Sequence, residues 1–140
     1  MLRITVTVDD PTDDFRDKLL ALLEEHAAHV DVDATWTVER AVRYYRTLPA
    51  RARRIVRMAA VNDGFVDDDE LRTDGGSLRG HSGALKRVLE RGAREGWWPA
   101  GMRPPIQAQG PGFGKVKGYS MPTELVDVFL EAVDRHDKQR

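Results

Sequence analysis

The sequence predicts an α+β protein. A small N-terminal strand-helix-strand unit at residues 1–37 precedes a helix-rich domain with a β-hairpin at 38–140. Three observations lead there. Ile4, Val6 and Val8 alternate with Thr5 and Thr7, the period of a half-buried strand. Several separate runs then place apolar residues at helical spacing. Finally, two short segments flank "GPGFG" at residues 110–114, the composition of a glycine-tipped hairpin.

In the first unit, "DDPTDD" at 9–14 supplies a turn and helix-start residues. Phe15, Leu19, Leu22, Leu23, Ala27 and Val30 follow on one helical face. Val30, Val32, Ala34, Trp36 and Val38 alternate again and predict a second strand, parallel to the first if the two are neighbours. Two strands and one helix bury little surface and leave unpaired edges. The unit is therefore expected to dock or to dimerise, and a homodimer through this region is the expectation. His26 and His29 stand three residues apart with Asp31 and Asp33 beyond, but no HExxH accompanies them. They read as the polar flank of an amphipathic helix.

The second part starts with Val38, Ala41, Val42 and Tyr45, a short helix ending near "TLP". Pro49 suits the start of the next helix, whose apolar face is Ile55, Val56, Ala59 and Ala60. Asn62, Asp63 and Gly64 end it, and Phe65-Val66 make a very short strand. Asp67 stands three residues before Glu70, an Asp variant of the capping box, and opens a short helix through Leu71 and Arg72.

This "VNDGFVDDDEL" stretch also imitates a calcium loop. With Gly64 as position 6 and Glu70 as position 12, position 5 is Asp63, but positions 3 and 1 fall on Val61 and Ala59. Neither offers side-chain oxygen, so half the cage is missing. The carboxylates are better used beside the unpaired N–H groups of a helix start. No metal site is expected.

After "TDGG" at 73–76, Ala84, Leu85, Val88, Leu89 and Ala93 share a helical face, with Ser82, Gly83, Lys86, Arg87, Glu90 and Arg94 mostly elsewhere. Gly96 closes this helix. Gly80, Gly83 and Gly92 weaken it by about 1 kcal/mol each relative to Ala where they are helical. Trp97 and Trp98 are read as core residues between helix and hairpin rather than as base-stacking groups. A last helix carries Leu125, Val128, Phe129, Ala132 and Val133 inward.

Composition narrows the function. The 140 residues are 41% hydrophobic and 32% charged, with no cysteine, so neither disulfides nor thiolate metal sites arise. The longest apolar runs are too short to cross a bilayer and the start is unlike a secretion signal, so no membrane role and a cytoplasmic address are expected. The net charge of −1 hides an asymmetry. Residues 1–38 hold three basic and nine acidic side chains, whereas 75–120 hold eight basic and two acidic. A basic segment of this kind suits a polyanion. Enzyme signatures are missing: there is no GxSxG and the histidines are scattered at 26, 29, 81 and 136. "GPGFGK" lacks the Gly and Ser/Thr of a phosphate loop, having Gln109 and Val116 there, and it precedes no helix. No catalytic residue and no cofactor are expected.

The order helix, short strand, helix, turn, helix, hairpin, helix, with "DGFVDDDELR" leading to "LRGHSGALKRVLERGAREGWW", resembles the winged helix-turn-helix DNA-binding superfamily over roughly residues 49–133. The resemblance implies that "FV" pairs with the wing, that the helix around 80–95 enters the major groove and that the wing around 105–121 touches backbone. Carried over by position, Arg79, His81, Ser82, Lys86 and Arg87 are candidates on the recognition helix and its leading turn, Lys115 and Lys117 on the wing. Arg53 and Arg54 add phosphate contacts from the preceding helix, and Phe113 is an exposed contact at the wing tip. The chain departs from the pattern in a long, glycine-rich turn before the recognition helix. The expected role is a transcriptional regulator on double-stranded DNA. The alternative is a winged-helix module that binds protein instead.

Overall fold

A computed structural model describes residues 2–30, 33–71, 81–110 and 116–139, with the side chains of 81 and 82 outside that description. The chain forms two compact units, Met1–Asp33 and Ala34–Arg140.

In the first unit, Thr12 opens helix α1 (Asp13–Glu25) by accepting the Phe15 backbone N–H on its Oγ1 at 3.2 Å. Asp13 and Asp14 sit in the first turn, where the helix dipole favours them. A 3-10 turn follows at Ala27–His29. The expected strands are corrected here: neither 2–8 nor 33–37 is a strand among the described residues. Alternation supplies the side-chain pattern of a strand but not partners for its N–H and C=O groups, and two short segments alone are marginal as a sheet. Leu2, Ile4 and Val6 are exposed, and α1 has no buried residue.

The second unit begins four residues before the boundary expected from the pattern, because Trp36 belongs to its core. Thr37 caps helix α2 (Val38–Thr47), its Oγ1 accepting from the Arg40 N–H at 3.2 Å. Trp36 and Ala41 take the two staple positions around that cap, and both are buried. Leu48-Pro49 ends α2, and helix α3 (Ala50–Val61) starts directly behind the proline. α3 closes in a Schellman turn. Asp63 adopts φ 62° and Gly64 φ 109°, and the Gly64 N–H reaches the Ala59 carbonyl at 2.7 Å.

Strand β1 (Phe65–Asp67) leads into the short helix α4 (Asp68–Leu71). Asp67 Oδ1 accepts the Asp69 N–H at 3.2 Å, the cap expected of it, whereas Glu70 accepts from the Asn62 side chain at 3.0 Å. Helix α5 (His81–Glu95) follows, then strands β2 (Gln107–Gln109) and β3 (Gly118–Ser120), and finally helix α6 (Thr123–Lys138). The sheet is antiparallel in the order β1-β3-β2. Val66 stands opposite Tyr119, which stands opposite Ala108.

Helix α6 packs on α2 and α3, and α5 packs on both of those. Their shared core is aromatic. The Trp36, Tyr44, Trp98 and Phe129 rings meet with centroids 5.3 to 6.2 Å apart, mostly tilted or edge-to-face. Each polar tip has a partner. The Trp36 Nε1–H donates to the Arg103 carbonyl at 2.6 Å, the Tyr44 hydroxyl to the Leu85 carbonyl at 3.0 Å, and the Trp98 Nε1–H to the Leu89 carbonyl at 3.0 Å. Burial pushes the Tyr44 hydroxyl well above the usual tyrosine range.

Candidate nucleic-acid interface

The candidate surface is built on α5. Ala84, Leu85, Val88 and Gly92 are buried against the unit, with Leu89 and Ala93 half-buried beside them. That burial turns Lys86, Arg87, Glu90, Arg91 and Arg94 to solvent. Arg87, Arg91 and Arg94 fall at i, i+4 and i+7, one stripe along the helix. None of the three has a carboxylate partner among the described residues. Lys86 comes within 4.0 Å of Glu90, an exposed pair that leaves the ammonium hydrated and available.

Glycine shapes both sides of this helix. A methyl at Gly92 would fall inside the Trp98 indole, so this glycine admits the ring against the backbone of α5. On the solvent side, a Cβ at Gly83 would meet the Arg87 guanidinium, its Nη1 at 3.1 Å, which places that group back over the glycine.

Gly96 at φ 78° then reverses the chain in a second Schellman turn, and the Trp97 N–H bonds the Gly92 carbonyl at 2.8 Å. The turn sets Trp97 beside the last turns of α5. Arg43 of α2 lies 4.1 Å from its ring centroid and Arg91 lies 5.2 Å from it, both within cation–π range. Sequence reading assigned both tryptophans to the core. Trp98 is core, but Trp97 is half-buried and carries two arginines. No spacing rule would have paired Arg43 with Arg91 across 48 residues; only the docking of α2 on α5 does so.

The remaining candidates divide. His81 and Ser82 open α5, while their side chains, and Arg79, Lys115 and Phe113 entirely, lie outside the described residues. Lys117 is exposed, and its backbone is held on both sides. Its N–H donates to the Gln109 carbonyl at 2.7 Å and its carbonyl accepts from the Asp68 N–H at 2.9 Å. Arg53 and Arg54 do not share a target: Arg53 Nη1 stands 3.5 Å from His136 Nε2 of α6, and Arg54 Nη2 donates to the Glu70 carbonyl at 3.1 Å. Both are half-buried and engaged within the fold.

Asp67, Asp68 and Asp69 bring carboxylate oxygens within 4.8 Å of one another. Their place at the start of α4 is accounted for by capping, and hydrogen bonding with the Asp68 side chain and then the Asp69 N–H lowers the Asp67 carboxyl below its ordinary value. Among the described residues no helix is long and apolar enough to cross a membrane. Comparison with protein-family models, curated proteins and solved structures finds no match to this chain.

Proposed function

We propose that the chain is a winged helix-turn-helix protein that binds double-stranded DNA and serves as a cytoplasmic transcriptional regulator. In this reading α5 lies in the major groove and the β2-β3 ribbon rests on backbone. The observation that carries it is the solvent face of α5, with Lys86, Arg87, Arg91 and Arg94 together and three guanidiniums without carboxylate partners among the described residues. Arginine forks of this kind donate to guanine edges or phosphates. The element order α3-β1-α4-α5-β2-β3, with β1 on the ribbon strand β3, supports the same reading. The exposed apolar residues of the first unit, Leu2, Ile4, Val6 and Phe15 among them, support a homodimer through that unit. Light scattering giving only the monomer mass would remove the dimer.

A mobility-shift assay on random-sequence duplex at low and high salt tests the central claim. Binding is expected to weaken steeply with salt as counterions are released. Salt-insensitive binding, or none, would overturn it. One observation favours a protein-binding module instead: Phe65 is 47% exposed on the edge strand β1. In that case Phe65→Ala would abolish partner binding while changes to α5 cations would not.

A further inference from the structure

Two arginines from different helices converge on one half-buried indole. Arg43 and Arg91 are both exposed, both lie within cation–π range of Trp97, and neither has a carboxylate partner among the described residues. Two cations gathered on one ring draw an anion to that part of the surface. The platform is fixed: the Trp97 N–H is tied to Gly92, and its ring meets the buried Trp98 ring edge-on at 5.8 Å between centroids. A guanidinium lying on a fixed aromatic face keeps its N–H edge free and pre-oriented, which suits the tetrahedral oxygens of a phosphate. Arg91 also belongs to the α5 stripe of Arg87 and Arg94, so the cluster continues the proposed recognition face towards α2.

We infer that Arg43, Trp97 and Arg91 form a clamp for one DNA backbone phosphate beside the groove that α5 occupies. The inference rests on the DNA-binding reading. It extends the footprint to α2, a helix outside the resemblance, and makes Trp97 a platform rather than a filler of the core.

The test uses the full chain, a fluorescent duplex and binding measured from about 50 to 200 mM salt, where log affinity falls by about 0.9 per phosphate neutralised. Arg43→Gln and Arg91→Gln should each flatten the slope, and the double variant by about 0.9 in all, because both side chains serve one phosphate. In parallel, the Trp97 indole N–H resonance should move when duplex is added to the wild type and stay in place in the double variant. Wild-type binding with an unchanged slope in the double variant, or with an unmoved Trp97 resonance, overturns the clamp and leaves the DNA reading standing. Absence of wild-type binding overturns both.

Discussion

Replacing Gly92 by alanine tests how α5 is seated. Gly→Ala in an unobstructed helix gains about 1 kcal/mol. Here the new methyl would occupy the space of the Trp98 indole, a ring only 3% exposed, bonded to the Leu89 carbonyl and packed on Trp36 and Tyr44. The ring must leave, and losing a buried Trp side chain costs about 3–5 kcal/mol. The difference predicts a net destabilisation of about 2–4 kcal/mol. In urea, at a slope of about 2 kcal/mol per molar, the midpoint should fall by about 1–2 M. Gly83→Ala is the control, because its nearest neighbour is the free end of Arg87. It should be neutral or stabilising by up to about 1 kcal/mol. A Gly92→Ala protein as stable as the wild type would refute the packing of Trp98 against α5.

Two further outcomes follow from the buried hydroxyl and a helix terminus. Tyr44→Phe should cost about 1–2 kcal/mol in urea unfolding, since it removes the donor to the Leu85 carbonyl. The Tyr44 hydroxyl is raised by burial, so its contribution is fully present below the unfolded value near 10 and is lost as pH climbs towards the folded one. Stability measured against alkaline pH should thus decline less steeply in Tyr44→Phe. Glu124, in the first turn of α6, is lowered by its own backbone N–H and then by Arg103. Its contribution is present above the ordinary glutamate value and is lost as pH falls through the folded one. Glu124→Gln should flatten that acid limb, as read by unfolding at several pH values.

Helix ends were the most legible feature of the sequence, because their causes are local. Pro49 separated α2 from α3, and Asn62-Asp63-Gly64 and Gly96 ended α3 and α5 where φ turns positive. The Phe65-Val66 strand and its ribbon partner were also readable from a short apolar pair and a glycine-rich loop. What depends on distant packing was not. Trp36 fits the alternation of a strand equally well as the residue before the Thr37 cap, and only the aromatic core decides between them. Gly92 reads as a weakness in a helix until Trp98 is placed against it. Adjacent Arg53 and Arg54 look alike in the sequence, yet α6 and α4 take one each. The cationic face of α5 was legible at Lys86 and Arg87, while Arg43, Arg91 and Trp97 required α2 to dock.

The most direct test of the central claim is duplex affinity, by fluorescence anisotropy, for the wild type, the Lys86→Ala/Arg87→Ala double variant and Arg57→Ala. Arg57 is an exposed arginine of α3, paired with Asp137 of α6 and so already engaged within the fold. Losing two phosphate or base contacts should weaken binding by roughly 2–6 kcal/mol if both are base contacts and reduce the salt slope by about 2 if both are phosphate contacts. Arg57→Ala should bind as the wild type does. Equal losses from the double variant and Arg57→Ala, or binding indifferent to the α5 cations, would contradict the account.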